Sequence, residues 1–349
     1  MYKRLLPASG AAQMKEINDF VLKIFEYFSL NEDFDANDFF AFLGPMGVWF
    51  QECYQKRPKL ARLLGELAEM PLLEKGALYR AMRADADFAS QAEDPDFEFQ
   101  VSSLSGKGPE KAAALCVYLY DSLFVPRGFR TSGGHFTYEE LKEQLCAANN
   151  RFLCPACLIR GDSLKELGQL DHFFPKRKYP ALTFHPRNLV LICGNCNGAV
   201  TKGTSDPMED TNLTELYLPY LRGAEGEMEI LVQHDDDLGH KVELRPLGNG
   251  PETANRIAND DRLFHLKDRW NERVSGYIED GIDEAVDFDT RAEVESYLQE
   301  NALKKRRAAA KHEYELVEAA CYEYLLFAGK KAFVAAWERT KRDHEKMLQ

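Results

Sequence analysis

Apolar residues recur at helical spacing through most of the first 145 positions and again through the last ninety or so, the pattern of amphipathic helices. The run GPEKAAALCVYLYDSLF carries a proline in its first turn and then apolar residues at helical intervals, which predicts one helix. FTYEELKEQLCAAN opens with Thr137 and has Glu140 three residues on, a capping-box start. Ahead of these, ADADFASQAEDPDFEFQVSSLSGKGPE is polar and turn-rich and predicts a long connection. Its GKG lacks the full spacing and the Lys-Ser/Thr end of a phosphate loop. From 150 to about 206 the pattern changes to short apolar runs broken by proline, glycine, cysteine and basic residues. EMEILVQ and KVELRPL then alternate with period two around HDDDLGH, which predicts a hairpin. RLFHLKDRWNERVSGYIEDGIDEAV and the stretch from RAEVESYL to KRDHEKM return to good helix formers. The sequence has no internal repeat and no low-complexity tract.

These patterns predict an α+β protein, mainly helical, in three regions: a helical 1–145, a small core at 146–206, and a hairpin with long helices at 207–349. A chain of 349 residues exceeds one small core. With 45% hydrophobic and 29% charged residues, disorder is excluded as the default. No apolar run is long enough for a membrane span, and the first residues lack a secretory pattern, so a cytoplasmic setting is expected. A net charge of −13 counts against coating nucleic acid by charge alone. A local basic groove remains compatible with it, and an acidic exterior suits docking on a partner's basic face.

Disulfides are rare in the cytosol, so the eight cysteines need another account. Cys53, Cys116, Cys146 and Cys321 are scattered, mostly in apolar stretches, and read as buried thiols. The other four form two C-x-x-C pairs, Cys154 with Cys157 and Cys193 with Cys196, separated by 35 residues. Such pairs place four thiolates around one tetrahedral zinc ion; unrelated thiol turns or redox pairs are the alternative. A zinc site would staple a segment with little apolar surface of its own.

Between the pairs lie Asp171 and His172, then Asn188 in NLVLIC, and Asn197 follows Cys196 directly. This string, an acid-histidine pair, a central asparagine and C-x-x-C-N in that order over 154–203, resembles the HNH endonuclease family. The resemblance implies a ββα-metal core braced by the two knuckles. It implies His172 as general base, Asp171 and Asn197 as oxygen ligands to a catalytic Mg²⁺ or Mn²⁺, and Asn188 as the residue holding the loop that orients His172. It also implies hydrolysis leaving a 5′-phosphate and a 3′-hydroxyl, with DNA the favoured substrate. The chemistry agrees: an imidazole titrates near neutral pH, and few protein ligands leave a hard cation open to water and phosphate. One departure is that family members commonly carry a basic residue three after the helix-opening ligand. In CNGAVTKG that base, Lys202, comes two residues later.

Across 171–205, Asp171 is the sole carboxylate, against Lys176, Arg177, Lys178, Arg187 and Lys202. A local excess of base beside a metal-and-imidazole pair predicts phosphate contacts. His185 reads as a hydrogen-bonding residue, and His234, Asp235, Asp236, Asp237 and His240 read as an acidic turn before a cation site. The basic cluster at 304–307, with Lys311, reads equally as a solvated helix face and as a nucleic-acid contact. RIANDDRLFHLKDRW resembles small HNH nucleases of bacterial anti-phage defence, of the Septu-type and retron-linked kinds, which implies an ATPase partner. The competing readings are a non-catalytic zinc-knuckle module that binds nucleic acid or protein, and a structural subunit whose nuclease site has decayed. Intact Asp171, His172 and Asn197 speak against decay.

Overall fold

Five helices open the chain: α1 (Ala11–Leu30), α2 (Ala36–Phe42), α3 (Pro45–Lys56), α4 (Pro58–Ala68) and α5 (Leu72–Ala86). Their starts and faces follow from local sequence. Pro58 sits in the first turn of α4, where its missing N–H costs nothing, and Leu60, Leu63, Leu64 and Leu67 line its buried face. In α1, Met14, Ile17, Phe20, Val21, Ile24, Phe25 and Phe28 are buried at the same spacing. In this computed structural model the described residues are 4–149, 153–158, 164–235, 239–309 and 315–347. The chain divides into two compact units, the first chiefly Lys3–Pro155 with Gly161–Gly223 and the second chiefly Ala224–Gln349.

Within the first unit the polar connection after α5 holds only two short 3₁₀ turns, Phe88–Gln91 and Val101–Ser103. It is fixed by Asp85, whose carboxylate accepts from the Gln100 and Val101 amides at 2.6 and 3.1 Å. The single helix expected over GPEKAAALCVYLYDSLF is instead α6 (Gly108–Tyr118), a π-helical turn (Leu119–Phe124) and the short α7 (Val125–Arg127). Periodicity alone does not register the wider turn. A small hairpin follows, β1 (Phe129–Thr131) with β2 (Gly134–Phe136), then α8 (Tyr138–Ala148). The capping box of α8 forms as expected, with Thr137 and Glu140 each bonding the other's backbone amide.

Next come the one-turn α9 (Leu164–Leu167), β3 (Gly168–His172), β4 (Leu189–Cys193) and the one-turn α10 (Gly194–Asn197). β3 and β4 pair antiparallel, with Asp171 opposite Val190 and His172 opposite Leu189. Both strands are buried almost throughout, unlike a hairpin with one wet face.

The second unit begins with β5 (Met228–Asp235) and β6 (Gly239–Pro246), paired antiparallel as the alternation predicts. Asp236 and Asp237 of the acidic turn lie outside the described residues. The helix expected over RLFHLKDRW divides into α11 (Pro251–Phe264) and α12 (Leu266–Ala285) at His265, whose φ of 49° is left-handed. At the break the Asp261 carbonyl accepts from the His265 amide at 2.7 Å, the last bond of α11, and the Asp261 carboxylate accepts from the Lys267 amide at 2.9 Å in the first turn of α12. α13 (Arg291–Ala309), α14 (Glu315–Leu326) and α15 (Lys330–Met347) complete the chain. In the basic cluster, Lys305 pairs with Glu315 and Glu318 at 3.1 and 2.7 Å, and Arg306 pairs with Glu323. Lys311 lies outside the described residues. Among the described residues the chain is thus mainly helical with three two-stranded antiparallel sheets. No helix among the described residues is long and apolar enough to cross a membrane.

Candidate active site and cysteine cluster

The two C-x-x-C turns converge. The sulfurs of Cys154, Cys157, Cys193 and Cys196 all lie within 4.8 Å of one another. Cys154 Sγ and Cys196 Sγ are 3.8 Å apart, which matches the edge of a tetrahedron with zinc–sulfur bonds of about 2.3 Å. The Cys193 amide donates to Cys154 Sγ at 3.4 Å, a contact that supports thiolate charge. After Cys157, Leu158 adopts a left-handed φ of 54° while fully buried, a strained choice for leucine that the turn geometry imposes. These four cysteines could hold a metal such as zinc.

Sequence order then places the acid-histidine pair at the end of β3. Asp171 and His172 are both buried there, opposite Val190 and Leu189 of β4. His172 Nε2 lies 2.9 Å from the Thr183 carbonyl. A carbonyl only accepts, so Nε2 carries the proton and Nδ1 keeps its lone pair. Burial, with the Lys176 charge behind it, pushes the imidazole down to about 3, so it is neutral at physiological pH. The Tyr120 ring meets its edge with centroids 4.5 Å apart.

Asn188 is fully buried and ties the loop between β3 and β4 from within. Its Oδ1 accepts from the Phe174 amide at 2.7 Å, and its Nδ2 donates to the Phe174 and Leu182 carbonyls at 3.0 and 2.9 Å. The loop's aromatics pack on the helical region: Phe88 on Phe174 at 5.3 Å, Phe99 on Tyr179 at 4.6 Å, Phe124 on Phe184 at 5.9 Å.

Asp171 is buried, and burial raises its carboxyl while the Lys202 ammonium opposes that rise. Lys202 Nζ stands 2.8 Å from Asp171 Oδ2 and donates to the His172 carbonyl at 2.9 Å. The contact with Oδ2 is a buried ion pair, so the carboxylate is compensated inside the protein by the Lys202 ammonium. Asn197 is half-buried on α10 and donates from Nδ2 to Gln169 Oε1 at 2.8 Å. Gln169 shares the Asp171 face of β3, two residues away.

The five bases expected on phosphate occupy three different settings. Lys202 is 1% exposed and engaged with Asp171. Lys176 pairs with Asp121 and lies over the Tyr120 ring, while Lys178 pairs with Asp206. Arg177 and Arg187 are exposed. Arg177 lines a cleft of about 630 Å³ with Lys59, Arg62 and Asp121. Arg187 lines one of about 1220 Å³ with Lys15, Lys23, Arg83 and the half-buried His185. The His185 ring packs edge-on against Phe88 at 5.0 Å. Sequence reasoning passed over Tyr120, Gln169 and Thr183. A period-two reading of β3 could have flagged Gln169, but nothing local marks the other two.

No family model matches the chain, and no solved structure matches it. Among curated proteins it is similar to Septu protein PtuB of Bacillus thuringiensis, 29% identical over 140 residues. The shared stretch is 37% of this chain, and the chain spans about half the length of that relative, 51% of it.

Proposed function

We propose that this chain is a metal-dependent HNH-type endonuclease that hydrolyses phosphodiesters, DNA foremost, as an effector of a Septu-type anti-phage system. The observation that carries the reading is the His172 imidazole, its Nε2–H anchored on the Thr183 carbonyl so that Nδ1 keeps its lone pair. That is the state a general base needs before it takes a proton from water. The order of β3, a loop tied by Asn188, β4 and α10 supports it, as does the partial likeness to the Septu protein.

A catalytic divalent cation fits the residues around Asp171. Its carboxylate, with the amide oxygen of Asn197, would be the ligand set, and in this structure Lys202 Nζ stands 2.8 Å from Asp171 Oδ2. When bound, Mg²⁺ or Mn²⁺ would neutralise phosphate charge and favour the leaving oxygen. For a cation to take Asp171, the Lys202 ammonium must yield its place on Oδ2. His172 would accept the proton of the attacking water at Nδ1, Thr183 would hold the ring through that transfer, and Arg177 and Arg187 would meet the backbone of the substrate. A partner, such as an ATPase of the same system, would bring an acidic nuclease to its substrate. The Lys202–Asp171 pair is also the observation favouring a second reading, a non-catalytic zinc-knuckle module with the pair as core.

Incubation of plasmid and single-stranded DNA with Mg²⁺ or Mn²⁺ separates the two. The nuclease reading expects cutting that His172→Ala lowers about 10²–10⁴-fold while zinc content stays unchanged. Equal cutting by both proteins would remove His172 from the chemistry. Silence from both, with zinc bound and a candidate ATPase added, would favour the binding module.

A further inference from the structure

The cleft of about 1220 Å³ beside Arg187 is built from three pieces of the first unit: a face of α1, a face of α5, and the residues His185–Arg187 ahead of β4. Its lining on α1 is Lys15, Asn18, Asp19, Leu22, Lys23 and Glu26, spaced three and four apart as one helix face requires. Asn18 is the anomaly on that face. It is 5% exposed, yet its carboxamide hydrogen-bonds to no described residue. Buried amides are almost always paired, and leucine would fill the same place without an unmet donor and acceptor. On α5, the half-buried Tyr79 lines the cleft with no ring partner among the described residues. The charges are not all spent on one another either. Asp19 is taken by Lys15 at 2.6 Å and Asp87 by the Ser90 hydroxyl at 2.7 Å. Lys23, Arg83 and Arg187 have no carboxylate of the described residues within ion-pair reach, which leaves three cations against Glu26. Burial pushes the His185 ring down to about 4, so it is neutral, and its Nδ1 accepts from the Arg187 amide at 3.2 Å, which leaves the proton on Nε2. The cleft therefore offers more donors than the fold consumes.

We propose that this cleft binds an adenine nucleotide, its phosphate on Lys23, Arg83 and Arg187, its base stacked on Tyr79 and read by Asn18. Each group supplies what its chemistry does well. Guanidinium forks meet phosphate oxygens in pairs. An unpartnered aromatic face stacks a base of any identity. A carboxamide sets one donor and one acceptor side by side, the pattern that matches adenine N6 and N7. The volume is ample beside the roughly 300–1000 Å³ of common small-molecule clefts. A free nucleotide and an unpaired nucleotide of a strand offer the same chemistry, and the test separates them. Either occupant would brace the loop that Asn188 ties to Leu182, one residue before the Thr183 carbonyl that holds His172. Nothing in this requires that His172 cut DNA.

The test is calorimetric titration of the full chain without divalent metal, so that no cleavage intervenes. AMP and CMP are one pair of probes, oligo(dA) and oligo(dC) the other, against wild type, Asn18→Leu and Arg83→Ala. Wild type should prefer the adenine member by about fivefold or more, the discrimination expected of one bidentate base contact. Asn18→Leu should bind both members equally, with a melting temperature unchanged or higher because a buried unpaired amide has gone. Arg83→Ala, at an exposed position, should weaken both members about tenfold through a lost charge-assisted bond. Tighter binding of AMP than of oligo(dA) would assign the cleft to a free nucleotide, and the reverse to a strand; both uphold it. Wild type that binds neither AMP nor oligo(dA), or that binds adenine and cytosine equally, would overturn the proposal. So would discrimination that survives Asn18→Leu, or affinity unchanged in Arg83→Ala. A lower melting temperature in Asn18→Leu would overturn it too, by showing that the carboxamide serves the fold.

Discussion

Two stretches of the chain fix the loop between β3 and β4 by different means. The segment from Cys154 to Ser205 relies on a few concentrated polar devices: four clustered thiols, the three bonds of Asn188, and the Lys202–Asp171 pair. The region from Ala11 to Ala148 relies on apolar burial spread over many rings, with Phe88, Phe99 and Phe124 reaching into the loop of the other region. Concentrated devices fail all at once when one member is lost, because the remaining polar groups stay buried without partners. Distributed packing fails by degrees, as each ring removes only its own area and leaves a cavity. The short segment adds the first kind of device to its own buried strands and aromatics, and the longer region relies on the second.

The sharpest break of this contrast is at the cysteines. Cys196→Ser should abolish metal retention at the cluster and unfold the segment around it, because structural zinc in small domains supplies about 10–16 kcal/mol. Zinc measured per chain, with near-ultraviolet circular dichroism on the same sample, checks this. A variant that loses zinc yet keeps the native signal would show that packing from the helical region suffices alone.

One step down lies Asn188→Ala, which strips the Phe174 amide and two carbonyls of their partner inside the core. A loss of about 2–4 kcal/mol in urea unfolding is expected from the orphaned groups. A loss below 1 kcal/mol would mean that the aromatic contacts, and not Asn188, fix the loop.

Legibility in the sequence follows the same division. The C-x-x-C turns, Asp171, His172 and Asn188 could be nominated because each belongs to a short string whose spacing carries chemical meaning. What they touch could not, since Thr183, Tyr120 and Lys202 approach through folds of the chain that no local pattern encodes. Lys202 is the clearest instance. Counted as a positive charge it reads as a phosphate contact, and only the fold shows it buried against Asp171. The helices were legible from periodicity and caps, down to the capping box at Thr137. The π turn at Leu119–Phe124 and the left-handed His265 were not, because each shifts the register by less than a periodic pattern resolves.

The smallest expected effect bears on an exception within the helical region, where one polar device does resemble those of the segment. Asp85 is fully buried, and its carboxylate holds the Gln100 and Val101 amides. The next residue back, Phe99, packs on Phe174 and Tyr179 of the site loop. Burial pushes the Asp85 carboxyl up from 3.8 to about 6, against the pull of its two amide donors. The folded-state value therefore lies above the unfolded one, so the folded protein binds the extra proton between those limits. Its contribution to stability is complete below about pH 3.8 and lost as pH rises through about 6, on the order of 3 kcal/mol. Other carboxylates titrate in the same range, so the quantity to follow is the difference between wild type and Asp85→Asn in urea unfolding. That difference should move in favour of wild type as pH falls from 7 to 4.5 and should be flat above pH 7. A pH-independent difference would mean that Asp85 stays ionised throughout, its two amide bonds outweighing its burial. In that case the helical region would hold Phe99, and through it the site loop, by a charge-assisted anchor of the same concentrated kind as Asn188.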